Sequence, residues 1–279
     1  MSSFDKIKPN GQGEIRNFEY VELLEVAVAV GCSNNCVRYC PQEVLLKAWK
    51  NREKIMSLET FKRLLSSVPK SVYLDFAGLT EPFDNPAFLD MAEYASKNGF
   101  RYGVKTSLST ATVEGVKRLA SLHPTCVFLH LPDGLNFVAP QTEQYHEALI
   151  AGLKYLRNTQ LSLMNDLFET NNRETTARSQ VKTSSGAGWC YRRENPQMVV
   201  FPDGTVTICC IDMGLKHVVG NLLTESYSVL RGRFVSKKSY VLCASCSYNV
   251  AAWRFHLRKI MQKPRLFLGH QLPLWKDTV

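Results

Sequence analysis

The sequence lacks the long apolar run that a membrane protein needs. No stretch approaches the ~18 consecutive apolar residues that span a bilayer, and Glu22 and Glu25 interrupt the first apolar run, Val21 to Val30. That run also lacks the pattern of a secretory signal peptide. With 45% hydrophobic and 21% charged residues, the composition excludes collagen-like, disordered and coiled-coil proteins. We therefore expect a globular cytoplasmic protein with no transmembrane segment.

Acidic residues are absent between Ser226 and Lys276, although the chain has 25 of them against 34 Lys and Arg. This stretch holds ten basic residues: Arg231, Arg233, Lys237, Lys238, Arg254, Arg258, Lys259, Lys263, Arg265 and Lys276. Residues 1–225 are consequently neutral, and the net charge of +9 belongs to the C-terminal fifth. Such a stretch is either a site for nucleic acid, an acidic protein or a phosphorylated substrate, or a solvated basic face.

The chain has nine cysteines. In a reducing compartment, cysteines in such numbers are more often metal ligands than disulfides. Cys126 stands alone in an apolar run, which is typical of a buried structural thiol. The other eight form an N-terminal triplet and a C-terminal set: Cys32, Cys36 and Cys40, then Cys190, Cys209, Cys210, Cys243 and Cys246.

Apolar runs alternate with helical patterns along the first two thirds of the chain. Strands are predicted at 26–30, 72–76, 102–107, 126–131, 161–164 and 180–183, and helices after Ser57 and around 88–95, 113–120 and 145–156. This alternation predicts right-handed βαβ units and a parallel sheet. The units span fewer residues than the ~250 of a complete barrel, so we expect an α/β fold, a partial (βα)5–6 TIM-like barrel. The reactive groups of such folds collect at the carboxyl ends of the strands.

After Gly188 the pattern changes. Met198–Phe201 and Thr205–Cys209 flank Asp203-Gly204, which predicts a β-hairpin with a tight turn. We expect this hairpin to open a small second unit that contains the other cysteines. The predicted divisions are an N-terminal extension (1–20), the partial barrel (21–188), a cysteine-containing module (189–250) and a basic helix and tail (251–279).

Three cysteines within nine residues are too few for a structural zinc site, which needs four ligands. Three thiolates suffice for three irons of a [4Fe–4S] cluster, leaving the fourth iron open to a small molecule. The segment Cys32-Ser-Asn-Asn-Cys36-Val-Arg-Tyr39-Cys40 resembles the cluster loop of the radical S-adenosylmethionine (radical SAM) superfamily. That loop is usually C-x3-C-x2-C, whereas this chain reads C-x3-C-x3-C, so either Val37 or Arg38 must bulge out.

Three further segments resemble this family in the expected order. Phe76-Ala-Gly78-Leu-Thr80-Glu81-Pro82 is similar to the "GGEP" segment, Lys105-Thr106-Ser107 to "TNG", and Leu129-His130-Leu-Pro-Asp133-Gly134 occupies the place of "SLDG". The resemblance implies that Tyr39 lies beside the adenine, that Gly78 gives backbone room, and that Thr80 and Glu81 bind the methionyl ammonium. The full cofactor-binding set that it implies is Tyr39, Gly78, Thr80, Glu81, Thr106, Ser107 and His130.

The C-terminal cysteines resemble those of the twitch/SPASM module, which carries an auxiliary iron–sulfur cluster. The resemblance implies that Cys190, Cys209, Cys243 and Cys246 hold a second, auxiliary [4Fe–4S] cluster. Cys210 is expected to point away, because consecutive strand residues face opposite sides. Four thiolates would equally satisfy a structural zinc ion.

The resemblance implies an enzyme that reductively cleaves S-adenosylmethionine and abstracts hydrogen from a C–H bond. Its partners would be a reductant such as a flavodoxin or ferredoxin and either a small-molecule or a peptide substrate. Oxidation or epimerisation of a small sugar or cyclitol is favoured, because dehydrogenases of aminocyclitols share this layout and length. Peptide modification is the first alternative. A non-catalytic iron–sulfur or zinc protein is the second; it would use its basic C-terminus, including an amphipathic helix around Trp253–Met261, to bind a partner or nucleic acid.

Overall fold

Eight strands in the described part of the chain form one sheet, in the order β5-β4-β3-β2-β1-β6-β7-β8. The computed structural model describes residues 22–34, 36, 40–77, 79–132, 140–163, 190, 196–236 and 242–243. The strand predicted at 180–183 and the basic helix around Trp253 lie outside these ranges. The strands are β1 Leu23–Val26, β2 Tyr73–Phe76, β3 Tyr102–Thr106, β4 Cys126–Leu131, β5 Thr159–Leu163, β6 Gln197–Val200, β7 Thr205–Thr207 and β8 Val218–Asn221.

The first five strands run parallel, and helices connect them. The helices are α1 Gln42–Trp49, α2 Leu58–Leu65, α3 Phe88–Lys97, α4 Val113–Ser121, α5 Glu143–Tyr155 and α6 Tyr227–Ser236, with a short 3-10 helix at Pro82–Asp84. Each strand from β1 to β5 pairs in parallel with the next. This arrangement confirms the predicted α/β partial barrel with a hairpin region at its C-terminal side.

Local sequence explains where the helices begin. Ser57 accepts a hydrogen bond from the Thr60 N–H at 3.0 Å, and Thr112 accepts one from Gly115 at 3.0 Å. Such N-caps pair backbone donors that have no partner within the helix. Helices α2 to α5 then bury their apolar faces against alternate strand residues, among them Leu24 and Val104, in the main core. None of the helices in the described ranges is long and apolar enough to cross a membrane.

The first strand differs from its predicted bounds. The sequence predicts a strand at 26–30, but β1 ends at Val26. After Ala27 the chain pairs instead with residues 54–56: Met56 N–H donates to Val28 O at 3.0 Å, and Val30 N–H donates to Lys54 O at 2.8 Å. The apolar run is therefore buried throughout, but its second half belongs to a different pairing that leads directly into the cysteine triplet.

The predicted hairpin is confirmed: β6 and β7 pair antiparallel. Gly204 lies at the turn with φ of 83°, a conformation that glycine adopts without strain. However, β6 also pairs in parallel with β1, so the hairpin extends the main sheet. Arg52 supports this junction, because its Nε donates to Asp203 Oδ2 at 2.8 Å.

Helices α1 and α6 are absent from the sequence prediction. In α1, Leu45 and Trp49 are buried at i, i+4 spacing, and the Trp49 and Phe201 rings lie 5.1 Å apart. In α6 the buried residues are Tyr227, Leu230 and Phe234. The apolar residues of both helices have helical spacing in the sequence, but the pattern covers too few residues to have been recognised.

Asn85 fixes the segment that precedes the cysteine triplet. Its buried Nδ2 donates to Val28 O and to Met56 O, both at 2.8 Å. Asn85→Asp replaces this double donor with an acceptor, so we expect a loss of about 2 to 4 kcal/mol in the free energy of unfolding. Urea unfolding measures this loss of stability. The matched control is Asn98→Asp at an exposed position, for which we expect a loss of under about 1 kcal/mol in the free energy of unfolding. Equal losses in the two variants would contradict this role.

Candidate functional site

The cysteine triplet lies where the extended segment after β1 ends. Cys36 is buried, and Cys32 and Cys40 are half-buried. The Cys40 N–H donates to Cys36 O at 3.0 Å, which turns the loop back on itself. Within the described residues, no three Cys, His, Asp or Glu side chains converge closely enough to hold a metal ion. The three thiols thus share one loop without meeting at a common point.

Glu81 connects the cysteine loop to the two neighbouring strand ends. Its carboxylate is 2% exposed and accepts hydrogen bonds from Ser107 N–H at 2.8 Å and Ser107 Oγ at 2.7 Å. Thr106 Oγ1 donates to its other oxygen. Asn34 Nδ2, from the cysteine loop, donates to Glu81 at 3.3 Å and to Ser107 Oγ at 2.7 Å. Three predicted cofactor residues, Glu81, Thr106 and Ser107, therefore form one hydrogen-bonded group.

Burial determines the electrostatics of this group. It raises the pKa of Glu81, although the hydrogen bonds from Thr106 and Ser107 oppose that rise. Burial and then the charge of Glu81 raise the pKa of the Cys32 thiol well above its usual value. A cation beside Glu81 would stabilise its ionised form, and bound iron would stabilise the Cys32 thiolate.

The remaining predicted cofactor residues are less closely grouped. Thr80 donates its hydroxyl to Gly31 O at 2.8 Å, so it holds the backbone just before the triplet. His130 is half-buried in β4 and lies opposite Ser162 of β5. Tyr39 and Gly78, like Asp133, lie outside the described residues.

Several residues that hold the cysteine loop escaped the sequence prediction. Ser33 donates through its N–H and its hydroxyl to Asp84, at 2.8 and 2.7 Å. Gln42 Nε2 donates to Cys40 Sγ at 3.3 Å and also to Leu79 O. Their position in the sequence could have indicated this role. Ser33 and Asn34 lie inside the triplet, and Gln42 lies two residues after it.

By the chemical type of their side chains, these residues suit an iron–sulfur cluster and S-adenosylmethionine. The donor set is three thiols, which suit iron and not hard cations such as Mg²⁺. Asn34 Oδ1 and Gln42 Oε1 are buried beside that donor set without a hydrogen-bond partner in the described part of the chain. Buried polar atoms are normally paired, so these two acceptors suit a ligand that brings hydrogen-bond donors, as an ammonium group does.

The second cysteine set is only partly described. Cys190, Cys209 and Cys243 are half-buried, and Cys246 lies outside the described residues. Cys209 packs at the edge of the main core, whereas Cys210 packs with Phe201 and Met213 in a second apolar cluster. The two adjacent thiols thus contact different groups of residues, but strand alternation is not the reason, because β7 ends at Thr207 and both cysteines lie beyond it.

Charged side chains occupy the inner face of the sheet, which is the face opposite α2 to α5. Glu25 and Asp75 pair in register on β1 and β2 and are 5% and 4% exposed. Lys105 Nζ on β3 lies 2.5 Å from Asp75 Oδ2. Burial lowers the pKa of Lys105, but the charges of Asp75 and Glu25 outweigh burial and raise it overall. The inner face therefore carries an ion pair with an additional carboxylate beside it.

Cys126 is fully buried, as the sequence predicts. Burial, and then the charge of Asp75, raise the pKa of its thiol to about 12. Because the thiolate is the reactive form, we expect iodoacetamide at pH 8 to alkylate Cys126 at least about a hundredfold more slowly in the folded protein than in urea. Mass spectrometry of its peptide over time measures both rates. Similar rates would show that the thiol is accessible and ionisable.

Comparison with known proteins agrees with these features. SPASM, an iron–sulfur cluster-binding domain, matches residues 190–247. The tungsten-containing aldehyde ferredoxin oxidoreductase cofactor-modifying protein of Pyrococcus furiosus is 31% identical over 96 residues. This alignment covers 32% of the chain and only 27% of the relative's length.

Two solved structures share the fold. BtrN in complex with AdoMet and 2-DOIA superposes with a TM-score of 0.62 at 19% identity, covering 81% of this chain and 92% of BtrN. Native anSMEcpe with bound AdoMet superposes with a TM-score of 0.52 at 14% identity, covering 88% of this chain and 98% of anSMEcpe. The chain therefore shares its fold with these two AdoMet-bound proteins, and its residues 190–247 match the SPASM iron–sulfur cluster-binding domain.

Proposed function

We propose that this protein is a radical SAM enzyme that abstracts hydrogen from a C–H bond of a small polar substrate. The observation that carries the proposal is the hydrogen-bonded group of Asn34, Glu81, Thr106 and Ser107, which joins the cysteine loop to the ends of β2 and β3. When bound at a reduced [4Fe–4S] cluster, S-adenosylmethionine supplies a 5′-deoxyadenosyl radical.

The chain's own residues would bind and orient this cofactor. Cys32, Cys36 and Cys40 would hold three irons, with Gln42 donating to the Cys40 sulfur. Glu81 would accept hydrogen bonds from the methionyl ammonium, since it is a buried carboxylate held by neutral donors. Cys190, Cys209, Cys243 and Cys246 would hold the auxiliary cluster, whose potential depends on burial and on hydrogen bonds to its sulfurs.

The inner face supports a small polar substrate. Glu25, Asp75 and Lys105 offer both acceptors and a donor within one group, which suits the hydroxyl and amino groups of a sugar or cyclitol. BtrN, which resembles this chain in fold, was crystallised with 2-DOIA as well as AdoMet. We therefore favour oxidation or epimerisation of such a substrate.

Peptide modification is the second candidate. It is favoured by the structure of anSMEcpe with bound AdoMet and the Cp18Cys peptide, which superposes with a TM-score of 0.51. A cysteine-containing peptide is therefore a necessary probe beside the small molecule.

Anaerobic reconstitution tests the central proposal. We expect about eight irons per chain for two [4Fe–4S] clusters, and 5′-deoxyadenosine after addition of dithionite and S-adenosylmethionine. Cys36→Ala should leave about four irons and no 5′-deoxyadenosine, and Cys243→Ala should also leave about four. Cys126→Ala is the control and should keep every iron. A wild-type protein with about four irons and no 5′-deoxyadenosine would instead support a non-catalytic metal-binding protein.

Removing the inner-face ion pair tests the substrate class. The double variant Asp75→Asn/Lys105→Met removes both charges of the ion pair, so neither of these two partners is left without the other. We expect 2-DOIA to accelerate 5′-deoxyadenosine formation in the wild type and the double variant to lose that acceleration at least about tenfold. Its rate without 2-DOIA should be unchanged.

The pair of half-buried Glu93 and exposed Lys97, 2.5 Å apart, provides the control Glu93→Gln/Lys97→Met, which should retain the response. Acceleration by the cysteine-containing peptide alone would favour peptide modification.

A further inference from the structure

Two exposed apolar side chains flank the segment that leads into the cysteine triplet. Leu46 of α1 is 39% exposed and Ile55 is 42% exposed. A Cβ on Gly31, the residue before Cys32, would lie 3.7 Å from Leu46 Cδ2, so Leu46 and Gly31 are in contact. Ile55 forms an antiparallel bridge with Ala29. Solvent-exposed apolar surface therefore lies directly beside the entry to the triplet.

Helix α1 is also attached to the other end of the triplet. The Gln42 N–H donates to Cys40 O at 2.9 Å, and Gln42 Nε2 donates to Cys40 Sγ at 3.3 Å. The helix thus begins two residues after the third cysteine, and Leu46 follows about one helical turn later. A partner that binds to the exposed side of α1 would consequently approach the triplet closely.

Three exposed lysines accompany these apolar side chains: Lys47, Lys50 and Lys54. The Lys50 N–H donates to Leu46 O at 3.2 Å, and Lys54 O accepts from the Val30 N–H at 2.8 Å. Both lysines are therefore held beside the same segment as Leu46 and Ile55. Within the described residues, none of the three lysines forms an ion pair.

The charge of this surface is positive overall. Between residues 42 and 56 the chain carries four basic and two acidic residues, the acidic ones being Glu43 and Glu53. Arg52 is offset by Asp203, with the two charged groups 2.6 Å apart. The three unpaired lysines thus outnumber the two glutamates, and the surface favours an acidic partner.

We propose that the α1 surface, made of Leu46, Lys47, Lys50, Lys54 and Ile55, docks an acidic electron-donor protein of the flavodoxin type. The assignment rests on the proposed function, because reductive cleavage of S-adenosylmethionine consumes one electron at the triplet. The donor's flavin would lose that electron and the cluster would gain it, with no covalent bond formed or broken. Redox partners form small, transient interfaces, and charge complementarity speeds their encounter. Two apolar contacts among unpaired lysines suit such an interface.

Two reductants separate docking from catalysis. The wild type and Lys50→Glu/Lys54→Glu are reconstituted anaerobically as full chains, and 5′-deoxyadenosine formation is driven at low ionic strength by reduced flavodoxin or by dithionite. We expect the variant to be at least about tenfold slower than the wild type with flavodoxin. With dithionite, a small molecule that needs no docking surface, the two rates should be equal.

The matched control reverses two lysines on the outer helices. Lys117 of α4 and Lys154 of α5 are exposed, and neither forms an ion pair within the described ranges. Lys117→Glu/Lys154→Glu changes the net charge by the same amount, so it should match the wild type with both reductants if position, and not total charge, determines docking.

Cross-linking gives a readout that does not depend on turnover. A carbodiimide joins lysine amines directly to carboxylates of bound flavodoxin, and mass spectrometry identifies the linked peptides. We expect links at Lys47, Lys50 or Lys54 that disappear at about 0.5 M salt, where exposed charges are screened. Links that are equally frequent at Lys117 and Lys154 would contradict the assignment.

The remaining outcomes are equally decisive. Equal flavodoxin-driven rates in the wild type and Lys50→Glu/Lys54→Glu would overturn the docking surface and leave the proposed function intact. Equal slowing with both reductants would also overturn it, because the lysines would then act on the cofactor site. The same holds if dithionite activates the wild type and reduced flavodoxin does not. A wild type that forms no 5′-deoxyadenosine even with dithionite would overturn the proposed function and, with it, this assignment.

Discussion

The hydrogen bonds to the buried carboxylate of Glu81 are the interaction on which this site depends. A buried carboxylate is unfavourable unless donors surround it, and here the donors come from the end of β3 and from the cysteine loop. The hydrogen bonds that this one side chain requires therefore determine how two other segments of the chain approach it. The loop that offers the thiols is held in place by polar contacts, with Ser33 and Asp84 adding a second attachment.

The sheet separates two environments. One face packs α2 to α5 in an apolar core, and this provides the rigidity that loops at the strand ends need. The inner face carries Glu25, Asp75 and Lys105, a set of charges that a purely structural interior would rarely bury. Strand alternation accounts for both, because Leu24 and Leu74 belong to the first face and their neighbours Glu25 and Asp75 to the second.

Much of this arrangement could be predicted from the sequence. Buried parallel strands and capped helices follow from local patterns, which is why Ser57 marked the start of α2 correctly. The triplet, Glu81 and Ser107 were identifiable because they follow strands in order. The pairing of β6 with β1 could not be predicted in this way. It joins residues 23–26 to 197–200, and no local pattern encodes such a distant contact. Asn34 was missed for a related reason: only the folded chain shows that its Oδ1 is buried without a hydrogen-bond partner among the described residues.

The parallel pairing of β1 with β6 has a consequence for electron transfer. β1 leads into the triplet, and β6 leads through its hairpin to Cys209, with the Ala27 N–H donating to Val200 O at 2.9 Å. A redox centre at the triplet and one that includes Cys209 would be connected, on this side, through a single pair of hydrogen-bonded strands. The register of β1 against β6 would then set how far the triplet lies from Cys209, and the path for an electron between them would run through strand hydrogen bonds.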